Sequence, residues 1–178
     1  VPPELESCAA FLAYEGPGRE LVARLKYRNA RAALGFLATG MAALVDPESI
    51  DVVTWAPTTR ARRRSRGFDQ ARLLARLVAR RLRRPCRSLL ERRPGPAQTG
   101  RSRTERRLGP VFAARPVGAR RVLLIDDVVT TGGTMTAGAR ALHDAGAVGV
   151  HGLAASRTPL KPAAVWSERT SDEPERHG

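Results

Sequence analysis

Two adjacent carboxylates, Asp126 and Asp127, are followed after two valines by Thr130-Thr131-Gly132-Gly133-Thr134. The two halves of this segment suit different ligand groups. Paired carboxylates are hydrogen-bond acceptors, and the vicinal hydroxyls of a sugar are matching donors. The Thr-Gly stretch supplies the opposite chemistry. Its glycines let the backbone fold tightly enough for several N–H groups to converge on one anion. The hydroxyls of Thr130, Thr131 and Thr134 add donors, and a helix starting near Thr134 would add its partial positive charge. Diol acceptors followed by a phosphate nest describe a receptor for ribose 5-phosphate.

Such a site needs a strand before it and a helix after it. Val122 to Ile125 is a continuous apolar run, as expected of a strand covered on both faces of a parallel sheet. Thr134 to Ala145 carries Met135, Ala139 and Leu142 at helical spacing, with Gly146 as the stop. Upstream, Ile50 to Ala56 is β-branched, bounded by Pro47 and Pro57, and reads as a strand. Gly67 to Arg84 reads as an amphipathic helix, with Phe68, Ala71, Leu74, Ala75, Val78 and Leu82 on one stripe and Pro85 ending it. Ser88 to Leu90 and Val111 to Ala114 are short strand candidates, and Val148 to Ala155 is a further strand. Nearer the start, Leu21, Val22 and Leu25, then Leu34, Leu37, Met41, Leu44 and Val45, fall at helical spacing. This order predicts an α/β domain with a mainly parallel sheet flanked by helices, which binds ligands beyond the carboxyl ends of its strands. The expected division is a small N-terminal helical hood over 1–46, a core over 47–157 and a flexible tail over 158–178.

The 178 residues suit one domain, and an aromatic content of 4% leaves the core to Leu, Val and Ala. Cys8 and Cys86 are too few for a disulfide framework or a four-cysteine zinc site. No run reaches the roughly 18 apolar residues of a membrane span, and a cytoplasmic location is expected. The sequence opens on Val1 rather than methionine, which leaves upstream trimming open. The net charge of +14 is almost all arginine. Arginine suits phosphate recognition, so the partner is a phosphorylated small molecule or a nucleic acid, while a GC-rich coding background accounts for part of the charge. The run Arg60 to Arg66 is the densest. Single-stranded DNA would call for stacking aromatics, and only Trp55 and Phe68 lie near. His143, His151 and His177 have no partner group nearby in sequence and read as incidental.

The segment from Val122 to Thr134 resembles the motif that binds 5-phosphoribosyl 1-pyrophosphate (PRPP) in type I phosphoribosyltransferases. Further along the chain, Tyr14-Glu15-Gly16, Leu25-Lys26-Tyr27, the Pro57 loop, Arg66-Gly67-Phe68-Asp69-Gln70 and Gln98 to Arg106 resemble, in order, segments of ComF-type competence proteins. Asp69 and Leu108 stand where that family commonly has Asn. Its N-terminal cysteine-rich zinc element is missing, either lost or upstream of Val1.

The resemblance implies ribose contacts from Asp126 and Asp127 and 5′-phosphate contacts from Thr130, Thr131, Gly132, Gly133 and Thr134. It places pyrophosphate against Pro57, Thr58 and Thr59. Arg66 would assist, and Arg92 to Arg107, with Gln98, Arg103 and Arg106, would form a flexible closing loop. The implied reaction displaces pyrophosphate from the anomeric carbon by an unknown nitrogen acceptor. Mg²⁺ would bridge PRPP oxygens, with no direct protein metal site. The alternative it carries is a non-catalytic PRPP sensor that meets single-stranded DNA or DNA-processing competence proteins. A homo-oligomer is compatible with either.

Overall fold

The computed structural model describes residues 3–16, 20, 31–59, 64, 68–93 and 110–159. Its centre is a four-stranded, wholly parallel sheet in the order β1-β6-β5-β2. These strands are β1 (Ser7–Ala13), β2 (Val52–Trp55), β5 (Arg121–Val129) and β6 (Gly149–Arg157). A separate antiparallel pair is formed by β3 (Leu90–Arg92) and β4 (Phe112–Ala114). The helices are α1 (Arg31–Ala42), α2 (Gln70–Leu82) and α3 (Gly133–Asp144), with a short 3-10 turn at Pro47–Ser49 capped by Asp46.

Alternation along β5 explains the layering. Leu123 and Ile125 face one core with Leu37 and Met41 of α1 and Leu74 and Val78 of α2. Val122 and Leu124 face the other, with Met135, Ala139 and Leu142 of α3. Residues 122 to 125 are at most 1% exposed, because helices cover both sheet faces. β5 therefore carries the sheet and, at its carboxyl end, the acid pair.

Helix α2 starts where Asp69, in an extended conformation, accepts a hydrogen bond from the Arg72 amide. It ends at Arg83, whose left-handed backbone turns the chain before Pro85. The expected span of Gly67 to Arg84 is thus trimmed at both ends by its caps.

The sequence predicts no strand before residue 50, yet β1 occupies Ser7–Ala13 and pairs with β6 from Ser7↔His151 to Ala13↔Arg157. Its Cys-Ala-Ala-Phe-Leu-Ala run has no β-branched residue, and its partner lies far along the chain, so no local signal marks it. Part of the segment 1–46, expected to be helical, belongs to the main sheet. Gly40 is the counterpart on α1, since a Cβ there would run into the ring of Phe11. The earlier helical pattern at Leu21, Val22 and Leu25 lies outside the described residues, as do residues 160–178 of the expected tail.

His143 and His151 each meet the N-terminal segment. Both ring nitrogens of His143 lie 3.1 Å from carbonyl oxygens, those of Ala147 and Glu4. His151 Nδ1 is 2.9 Å from the Ser7 hydroxyl, and its Nε2 is 3.4 Å from Glu6. Glu4 also pairs with Arg140 of α3. These contacts tie the chain start to α3 and β6.

Candidate functional site

Strand β5 extends through Val129, four residues past the expected Ile125, so the acid pair stands on the last turns of the strand itself. Neighbouring β2 stops at Trp55, and the Ala56 amide makes its last bond to the Ile125 carbonyl at 2.9 Å. Beyond that point no described residue pairs with β5 on its β2 side, and the two carboxylates turn back on their own backbone. Asp126 Oδ1 accepts from the Asp127 amide at 2.8 Å, and Asp127 Oδ1 accepts from the Val128 amide at 2.9 Å.

Asp126 is 8% exposed. Burial, then the negative charge of Asp127 and the hydrogen bond between the two side chains, push its carboxyl well above the ordinary range. Asp69 adds a smaller contribution of the same sign. Among the described residues, no basic side chain forms an ion pair with Asp126 or Asp127. Asp126 therefore holds a proton more readily than an ordinary aspartate, and a protonated carboxyl can donate as well as accept, which suits a diol.

The nest follows directly. Gly132 caps α3 with φ 83°, a left-handed conformation that glycine adopts without strain. The first helical bond is from the Thr136 amide to the Gly132 carbonyl at 2.9 Å. The amides of Gly133, Thr134 and Met135 donate to no other described residue. These are the unsatisfied N–H groups of a helix start, and they can take a phosphate. Thr130 and Thr131 are exposed beside them. The structure thus brings Asp126, Asp127 and Thr130 to Thr134 to one sheet edge.

Pro57, Thr58 and Thr59 leave β2 at the same edge, all half-buried. The Thr58 amide is already taken by Asp69 Oδ2 at 3.2 Å, and Pro57 has no amide hydrogen. The Thr58 hydroxyl makes no hydrogen bond to a described residue. Arg66, Gln98, Arg103 and Arg106 lie outside the described residues. Asp69 was not among the expected site residues. The signal was present, since an Asp directly before a strongly amphipathic helix is a cap. Its second bond, to Thr58, had no local signal.

No group of three or more His, Cys, Asp or Glu among the described residues could hold a metal ion. No helix there is long and apolar enough to cross a membrane.

Comparison with known proteins gives the family of this parallel-sheet domain. The profile of the phosphoribosyl transferase domain matches residues 70–172, more than half of the chain. The chain belongs to that family. Among solved structures it is similar to a glutamine PRPP amidotransferase from B. subtilis complexed with ADP and GMP, at TM-score 0.52 and 22% identity, over 76% of this chain and 30% of that one. It is similar to an allosteric regulatory enzyme of purine biosynthesis at TM-score 0.51 and 21% identity, over 76% and 30%. A purine phosphoribosyltransferase from Pyrococcus horikoshii aligns at TM-score 0.49 and 16% identity, over 74% and 79%. The first two likenesses are of fold, and the chain spans under a third of those proteins. No curated protein matches the chain in sequence.

Proposed function

We propose that this chain binds PRPP at the carboxyl edge of the sheet and transfers its ribose 5-phosphate to a nitrogen acceptor. The observation that carries this reading is an acid pair, Asp126 buried and Asp127 half-buried, that forms no ion pair among the described residues and precedes a helix start whose amides donate to no other described residue. Asp126 and Asp127 hold the ribose hydroxyls, and Thr130 to Thr134 hold the 5′-phosphate. The turn at Pro57 to Thr59 faces pyrophosphate, with Arg66 assisting and Gln98, Arg103 and Arg106 on the closing loop.

The reaction displaces pyrophosphate from the anomeric carbon through a transition state of oxocarbenium character. The residues bind, orient and exclude water, and no protein nucleophile is required. Mg²⁺ fits as a companion of the ligand rather than of a protein cage. It is commonly held by substrate phosphates with one or two carboxylates, and the described residues offer no larger set. When bound it neutralises the leaving group's charge. The resemblance to ComF-type proteins adds a cytoplasmic place in DNA uptake to this reading.

A second reading has its own observation. Arg72, Arg76, Arg80 and Arg83 are exposed along one stripe of α2 and its end, and form no ion pair among the described residues. That stripe fits a non-catalytic PRPP sensor that docks single-stranded DNA. Pyrophosphate release separates the two. Release from PRPP and Mg²⁺ on adding a nitrogen acceptor supports transfer. Bound but intact PRPP across an acceptor panel, with DNA affinity that falls steeply with salt, supports the sensor.

A further inference from the structure

Resting on the PRPP reading above, we infer that Asp69 is a positioning residue that holds the pyrophosphate-side turn ready through a two-amide clasp. Its two oxygens have separate tasks. Oδ1 accepts from the Arg72 amide at 3.3 Å and starts α2. Oδ2 accepts from the Thr58 amide at 3.2 Å, eleven residues back, and holds the turn leaving β2. Asp69 as a residue is only 9% exposed, so water competes weakly for either bond.

The clasp has a second fastening. The Arg72 guanidinium lies over the ring of Trp55, 5.7 Å from its centroid, and Trp55 is the last residue of β2. The turn is therefore fixed at Trp55 and at Thr58 to the first helical turn of α2. Asp69 also lies close enough to raise the Asp126 carboxyl, which places it on the same sheet edge as the acid pair. A turn held in shape before its ligand arrives loses less entropy on binding. The clasp acts on the pyrophosphate side alone, because the nest for the 5′-phosphate belongs to α3.

The test divides the ligand. Magnesium pyrophosphate and ribose 5-phosphate are titrated separately into the wild type, Asp69→Ala and Asp69→Ser. Serine is as good a helix cap as aspartate but has one oxygen on a shorter reach. The Ser variant therefore keeps α2 while releasing Thr58, even if the Ala variant folds poorly. Pyrophosphate affinity falls on the order of tenfold in the Ser variant, the scale of one lost hydrogen bond to a charged group. Ribose 5-phosphate affinity changes far less, since Asp69 is only a minor influence on Asp126. Pyrophosphate binding that is unchanged or tighter in the Ser variant overturns the clasp, as does equal weakening of both ligands. A wild type that binds neither ligand removes the PRPP reading itself, a result distinct from failure of the clasp.

Discussion

Aspartates lie at both ends of strand β5, Asp51 against its first residue from the chain entering β2 and Asp126 on its carboxyl end, and the molecule treats them in opposite ways. At the amino end, Asp51 accepts from the Arg121 amide at 2.8 Å and from its guanidinium at 3.2 and 2.8 Å. The guanidinium and amide of Arg121 hold the Asp51 carboxyl down at about 2. At the carboxyl end, Asp126 is buried beside a second acid, pairs with no cation among the described residues, and is pushed the other way. In a chain of 31 basic residues, arginine was available for either end. A carboxylate serving only the fold is paired as Asp51 is. Among the described residues the acid pair meets no cation and the amides beside it meet no acceptor, which supports the proposed ligand site.

The strand body serves both ends, so damage there should not discriminate between them. Leu124→Ala removes a fully buried side chain between β5 and α3. It should cost about 2–5 kcal/mol in urea unfolding. A loss well under this range would mean that the second core does not support the site end.

The next largest effect should be confined to the site end. Gly132→Ala places a side chain on a left-handed backbone at the cap of α3. Strain of about 1–2 kcal/mol is expected, with weaker binding of ribose 5-phosphate and an untouched amino end. Unchanged phosphate affinity would detach the nest from the function.

Asp126→Asn should show the opposite sign in stability. The Asp126 carboxyl is raised in the folded state, so its stabilising contribution is full below about pH 4 and is lost as pH rises through the folded value. The Asn variant should therefore gain on the wild type between acid and neutral pH. Parallel stability curves from pH 4 to 8 would show that burial does not strain this group.

The smallest effect is expected from Asp51→Asn. Its carboxyl is lowered, so its contribution is present above the ordinary value near 3.8 and is lost as pH falls through about 2. The pair is solvent-exposed and screened, so the loss at neutral pH should be slight and should shrink further in salt. A large loss there would make the two ends energetically alike.

How much of this was legible depends on the range of the contacts involved. The apolar run before Asp126 and the Thr-Gly stretch after it are local, and both strand and nest follow from them. The stripe of α2 was legible for the same reason, with its ends shifted by caps at Asp69 and Arg83. Strand β1 was not, because alanine-rich residues 7–13 become a strand only against β6. Nor was the clasp, since the Thr58 amide meets Asp69 only once β2 and α2 have packed. His143 Nε2 and both ring nitrogens of His151 meet residues 4–7, over a hundred positions away. Sequence patterns report local geometry, and each of these misses is a long-range contact.

The central claim is that the acid pair Asp126-Asp127 is a receptor for a phosphoribosyl group. Calorimetric titration of PRPP with Mg²⁺ into the wild type and into Asp126→Asn/Asp127→Asn tests it most directly. The account predicts saturable binding by the wild type and none by a double variant that remains folded. A folded wild type that does not bind PRPP, or a double variant that binds it equally well, would contradict it.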